Sequence, residues 1–154
     1  MTYKKSFFVV MLVMLLVGGS ITFSSIANSY FPWGGKPPST YDPKITVTDA
    51  TSRSQTPLLI EFYSDTCGTC RELAPLIHKA QEKFKGKLFF VMVNTDDPAQ
   101  QDVVNLFNID EIPALYVFDF HKMRKLAVPS DYLFAEPSIE EGIQTTLQKA
   151  AALP

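Results

Sequence analysis

Three runs of nearly unbroken apolar and aromatic residues, Leu58 to Tyr63, Leu88 to Val93 and Ala114 to Phe118, limit what this chain can become. A strand with water on one face alternates polar and apolar side chains. These runs barely alternate, so they suit central strands covered on both faces. The cover is written between and after them. Leu73, Leu76, Ile77, Ala80 and Phe84 recur at helical spacing and close at Lys83, Lys85 and Gly86. Pro98 opens a second helix through Phe107, and Pro137-Ser138 starts a last one with Ile139, Ile143, Leu147 and Ala150 on one face. Phe120 to Val128 is predicted to return as an antiparallel strand after a turn near His121-Lys122, and a weak strand at Ile45 to Thr48 is predicted to precede everything. The expected order is β, β, α, β, α, β, β, α, an α/β sandwich around a mixed sheet.

The first 43 residues stand apart from that pattern. Lys4 and Lys5 are followed by Phe7 to Val17 without a polar residue, and no charge occurs between Lys5 and Lys36. As one helix, Phe7 to Ala27 is roughly 30 Å long, enough to cross a hydrocarbon core. The same stretch also reads as a signal peptide, with Ser25-Ile26-Ala27 as a small-x-small cleavage site. Either reading exports the rest and leaves the lysines on the cytoplasmic side. Residues 28–43 carry prolines and Gly34-Gly35 without periodicity and read as a spacer, with Tyr30, Phe31 and Trp33 placed like an interfacial aromatic belt. The predicted organisation is therefore a signal-anchor helix or signal peptide at 1–27, a linker at 28–43 and a domain at 44–154.

Composition narrows the chemistry. Of 154 residues, 14 are Lys or Arg and 16 are Asp or Glu, and no basic stripe is interleaved with aromatics, so nucleic acid is not an expected partner. The two cysteines, Cys67 and Cys70, are too few for a disulfide-stapled scaffold. A zinc site needs two more ligands, and His78 and His121 fall at no finger-like spacing. Arg71 stands where attachment of c-type haem needs histidine. No metal or cofactor is expected.

The cysteine pair follows the first apolar run and opens the first helical pattern. At a helix N-terminus, unsatisfied N–H groups and the macrodipole favour a thiolate, which makes Cys67 the nucleophile and Cys70, one turn in, the resolving thiol. Residues i and i+3 of a helix lie within disulfide range. Glu61 sits inside the apolar run, where a carboxylate is costly unless protonated or used, and suits a proton relay to Cys70. Ile112-Pro113 precedes the third strand, where a cis proline would hold a backbone edge beside the sulfurs. Pro75 is predicted to kink the first helix. Asp96-Asp97 reads as a cap for the following helix, and Asp65 either tunes the cysteines or caps the helix that starts there.

Leu59 to Leu76 (LIEFYSDTCGTCRELAPL), Val93 to Asp96 (VNTD) and Ile112 to Phe118 (IPALYVF) resemble the thioredoxin-like family in order and spacing, over Lys44 to about Ala151. The resemblance implies a thioredoxin fold, a central mixed β-sheet flanked by helices, here preceded by an N-terminal hydrophobic helix. It implies thiol–disulfide exchange through a Cys67–Cys70 redox disulfide, Glu61 in the place of the buried acid, and Pro113 as the cis proline beside the substrate. It puts Ile112, Thr66, Gly68 and Thr69 along the substrate-binding surface. The chain departs from the family where Thr66 replaces tryptophan, Thr69 replaces the proline of thioredoxins proper, Met92 replaces a lysine near the buried acid, Val128-Pro129 replaces a glycine, and Ser130 to Glu136 is inserted. With no positive partner at Met92, Glu61 is expected to have a raised pKa.

The expected function is an extracytoplasmic thiol–disulfide oxidoreductase on the periplasmic or lumenal side, held by its N-terminal helix or secreted after cleavage near Ala27. Its partners would be exported proteins with cysteine thiols or disulfides and a membrane electron-relay protein. Ile112 and Glu61 favour a reductant, with an oxidase or isomerase as the alternative. A thioredoxin-fold adaptor with a structural disulfide is the non-enzymatic reading.

Overall fold

The computed structural model describes residues 35–152 apart from 54–55 and 135–137. The predicted membrane helix or signal at 1–27, and the belt residues Tyr30, Phe31 and Trp33, lie outside the described residues. Among the described residues no helix is long and apolar enough to cross a membrane.

A single 3-10 turn, Pro38–Thr40, leads into α1 (Val47–Arg53), β1 (Leu58–Tyr63), α2 (Gly68–Lys83) and β2 (Phe89–Asn94). A 3-10 turn at Pro98–Gln100 runs into α3 (Gln101–Phe107), followed by β3 (Ala114–Asp119), β4 (Arg124–Ala127), a third 3-10 turn at Ser130–Tyr132, and α4 (Ser138–Ala152). The four strands lie in the order β2-β1-β3-β4. β1 pairs parallel with β2 and antiparallel with β3, and β3 pairs antiparallel with β4. This is the mixed α/β sandwich expected from the apolar runs, with one element exchanged.

That element is the predicted strand at Ile45 to Thr48, which is instead the start of α1. The Asp49 N–H donates to Thr46 Oγ1 at 3.0 Å, and that hydroxyl donates to Asp49 Oδ2 at 2.8 Å. Thr46 thus caps α1 through its hydroxyl, and Ala50, one position beyond Asp49, is buried with its N–H on the Thr46 carbonyl. The cap decides the conformation over the β-branched composition of Ile45 to Thr48. The sheet accordingly has four strands rather than five.

β1 is buried along its whole length, and its side chains part to two faces. Leu59 joins Leu73, Ile77, Leu115, Val117, Ile139 and Ile143 in the core between the sheet and helices α2 and α4. Leu58, Ile60 and Phe62 face the opposite core with Val91, Val93 and Phe107. Glu61, two residues from Leu59, therefore points to the α2 side. Pro75 lies inside α2 with its ring exposed. It offers no N–H to the Arg71 carbonyl, and the helix continues past it. The inserted segment after β4 seats its 3-10 turn on α4 at Gly142, where a Cβ would fall 2.5 Å from Tyr132 Cβ.

Candidate active site

The loop from β1 to α2 is fixed before the first cysteine. Ser64 is buried, and its hydroxyl donates to Asp96 Oδ2, lies 2.8 Å from Thr66 Oγ1 and accepts from the Thr66 N–H at 3.1 Å. The Cys67 N–H donates to the Ser64 carbonyl at 3.2 Å. A buried hydroxyl with this many partners holds one geometry, because breaking any of these bonds leaves a polar group unsatisfied. Asp97 caps the following turn through the Ala99 N–H at 2.9 Å. Asp96 does not share that duty: it is held by β1 through Ser64.

Cys67 is the N-cap of α2 and half-buried; Cys70, in the first turn, is 0% exposed. The two are joined in a disulfide with Cα atoms 5.2 Å apart. The Cys70 N–H donates to Cys67 Sγ at 3.1 Å, and Thr69 Oγ1 lies 3.3 Å from the same sulfur. Gly68 and Thr69 occupy the first turn, Thr69 exposed, and Thr66 is exposed just before it. One sulfur thus meets solvent, ringed by N–H and O–H donors, while the other is sealed behind it.

Behind Cys70 lies a small cluster of Tyr63, Cys70 and Met92, with Cys67, Ile112 and Tyr41 packed against it. Ile112 packs against the cluster that contains Cys70, and the Ile112–Pro113 bond is cis. Glu61 is 2% exposed, neither of its oxygens has a hydrogen-bond partner, and its neighbours across the strands are Met92 and Leu115. Burial pushes the Glu61 pKa up to about 8, with the negative charge of Asp42 adding to the shift. The raised pKa expected from Met92 standing where a lysine would be is found, with burial as its leading cause. Burial also raises the Tyr63 phenol, and Asp42, Asp65 and Glu61 push it the same way.

Asp65 neither touches the cysteines nor caps α2. Its Oδ1 accepts from the Ser39 N–H at 3.0 Å, and its carbonyl accepts from Arg71 Nε at 2.7 Å. It ties down residues of the expected linker. Pro38 is buried there, Tyr41 stacks on His78 with ring centroids 5.2 Å apart, and the Tyr63 hydroxyl reaches Asp42 Oδ2 at 3.5 Å. Gly35 passes so close to α2 that a Cβ would meet the Arg71 carbonyl at 2.7 Å. Ser64, Tyr63, Tyr41 and Asp42 are site residues that sequence reading missed. Only Ser64, polar at the end of an apolar strand, carried a visible signal.

The thioredoxin family model matches residues 43–131. A segment of 63 residues is 38% identical to the thioredoxin-like protein HCF164 of Arabidopsis thaliana, covering 41% of this chain and 24% of that protein. Thioredoxin 1 of Chlorobaculum tepidum is 38% identical over 73 residues, 47% of this chain and 70% of its own length. Among solved structures, chloroplastic thioredoxin z superposes with a TM-score of 0.53 at 19% identity, covering 66% of this chain and 88% of that one. The J-Trx1 fragment of ERdj5 superposes with a TM-score of 0.54 at 22% identity, covering 66% and 48%. The match to HCF164 thus spans about a quarter of that protein. The fold, the family-matched segment and the cysteine pair all coincide on the loop between β1 and α2.

Proposed function

The chain belongs to the thioredoxin family and is a thiol–disulfide oxidoreductase with a Cys67–Cys70 pair, and from that premise we propose that it reduces disulfides of exported proteins on the outer side of a membrane. The observation that carries the division of labour is the unequal exposure of the two cysteines, one half-buried at the helix N-cap and one sealed in the first turn.

In the reduced enzyme the Cys67 thiolate attacks one sulfur of a substrate disulfide and expels the other as a thiolate, leaving a mixed disulfide on Cys67. N–H groups at the helix start, including that of Cys70, and the Thr69 hydroxyl favour the thiolate before attack. Cys70 then gives its proton to the Glu61 carboxylate and attacks Cys67 Sγ. The second substrate sulfur leaves, the Cys67–Cys70 disulfide closes, and the substrate has gained two electrons. Recharging runs backwards: a donor thiolate attacks Cys67, Cys70 departs and takes the proton of Glu61, and a second donor thiolate then attacks the donor sulfur of the mixed disulfide, leaving as the donor disulfide and freeing the Cys67 thiolate. With its pKa near 8, the Glu61 carboxyl holds that proton in the oxidised enzyme at neutral pH. The backbone at Ile112–Pro113, beside the pair, is the edge along which an extended substrate lies, with Thr66, Gly68 and Thr69 on the other side.

Export is supported by the two lysines and the apolar run at Phe7 to Val17. The uncleaved run is the anchor in this reading, and a membrane electron-relay protein is the donor. Disulfides of exported proteins, those of apocytochromes among them by family analogy, are the substrates. The reductant direction rests on Glu61 and on Ile112 before the cis proline. Titration of the full chain against glutathione and dithiothreitol tests it: a potential near about −270 mV fits a reductant, whereas about −120 mV makes it an oxidant.

A further inference from the structure

We propose that Asp42, carried by the strap Pro38–Lys44 ahead of the family-matched segment, is a positioning residue for exchange: it sets the proton occupancy of Glu61 and thereby the pH at which Cys70 can hand over its proton. The inference rests on the relay role given to Glu61 above.

The strap is built into the site. It is held at Ser39 by the Asp65 carboxylate, at Tyr41 by the His78 ring and by packing on the Tyr63, Cys70 and Met92 cluster, and at Asp42 by the Tyr63 hydroxyl. Pro38 is buried under it. Tyr63 stands two residues from Glu61 on β1, on the same face, so the group that fixes Asp42 also places its charge on the Glu61 side of the sheet. Except for Pro43 and Lys44, the strap residues precede the residues that match the family, 43–131, so Asp42 and its contacts lie ahead of the matched segment.

The two carboxyls sit in different surroundings. A cavity of about 530 Å³, lined by Asp42, Lys44, Tyr63, Asn94, Asp97 and Gln100 among others, opens beside Asp42. The Lys44 N–H donates to Asp42 Oδ1 at 2.7 Å, and Lys44 Nζ lies 3.5 Å from Oδ2 with its side chain largely exposed. The Asp42 carboxylate therefore has polar partners beside an open cavity, whereas Glu61 is sealed and its oxygens have no hydrogen-bond partner. The other groups facing Glu61 do not oppose that charge: Tyr63 on β1 is a neutral phenol, the cysteines of α2 are joined in the oxidised state, and Met92 and Leu115 flank it from β2 and β3. Asp65 adds a further negative charge on Tyr63 from the loop. A negative charge held on the protein side of a sealed carboxyl disfavours its ionisation.

The test uses the oxidised full chain labelled with 13C at glutamate carboxyls, and follows Glu61 through a pH titration by NMR. In Asp42→Asn the Glu61 midpoint is expected to fall by several tenths of a pH unit or more, and in Asp42→Glu, which restores the charge, to stay near the wild-type value. Tyr41→Ala loosens the strap without altering either carboxyl, and is expected to move the midpoint the same way as Asp42→Asn. An unmoved midpoint in Asp42→Asn, or in Tyr41→Ala if the first variant does not fold, overturns the proposal. The pH profile of mixed-disulfide resolution is then read on the same variants, and its limb is expected to follow the midpoint. A midpoint that moves while the rate profile stays still overturns the relay role of Glu61 and leaves the coupling between the carboxyls standing.

Discussion

Replacing Cys67 with serine is expected to bring disulfide reduction down to the uncatalysed background while the domain stays folded. The reason is access. Cys70 is 0% exposed and lies one helical turn behind Cys67, so no substrate sulfur reaches it in line once the outer thiol is gone. A serine hydroxyl at the N-cap still accepts the Cys70 N–H, which preserves the start of α2. The assay is turnover of a protein disulfide by the reduced full chain, with thermal unfolding of the reduced variant beside the reduced wild type. Turnover that persists in Cys67→Ser would mean that Cys67 is not the attacking thiol and would overturn the division of labour between the two sulfurs.

Replacing Glu61 with glutamine is expected to do two opposite things, stabilise the fold and slow the reaction. Glutamine keeps the shape and stays neutral at every pH. In the wild type the unfolded carboxyl ionises at its ordinary pKa of 4.5 while the folded one holds its proton up to about 8. Between those values the folded state binds more protons than the unfolded state, so wild-type stability falls as pH rises. Below the window both states are protonated and the wild type suffers no ionisation penalty. At pH 7 the penalty is on the order of 3 kcal/mol, and Glu61→Gln removes it. Denaturant unfolding of the oxidised proteins at pH 5 and pH 8 reads this out: the variant gains more at pH 8. A gain that does not change with pH would show that Glu61 is ionised normally. Loss of the proton acceptor should meanwhile slow resolution of the mixed disulfide by about 10²-fold.

The parts of the fold that were legible share one cause. Runs such as Leu58 to Tyr63 need burial on both faces, and a chain with helices between such runs has few ways to provide it. β1 was readable to the residue for this reason. Ile45 to Thr48 misled because four residues are too short for periodicity to decide, and there the Thr46 hydroxyl on the Asp49 N–H outweighs β-branched composition. A threonine three residues ahead of an aspartate is a visible N-cap pattern, so the signal was present and was outranked.

The site divides in the same way. The Cys67–Cys70 pairing and the burial of Glu61 were readable because two thiols three apart at a helix start, and a carboxyl inside an apolar run, are unusual settings. Asp96 was misassigned since neighbouring aspartates ahead of a helix look alike in sequence, and only the fold tells that one caps the turn while the other receives the Ser64 hydroxyl. Asp42 and Tyr41 were invisible for a different reason. They lie in a proline-rich stretch with no periodicity, and what places them, Asp42 on the Tyr63 hydroxyl and Tyr41 on the cluster of Tyr63, Cys70 and Met92, is contact across more than twenty residues of chain.

The measurement that tests the central claim most directly is the capture of the mixed disulfide. Cys70→Ser in the full chain leaves a single thiol and removes the resolving step, so a protein substrate attacked by Cys67 should stay attached. Mass spectrometry of the digested adduct is expected to place the substrate sulfur on Cys67, released on adding dithiothreitol. Failure of Cys70→Ser to trap any disulfide substrate, under conditions where the wild type reduces it, would contradict the account.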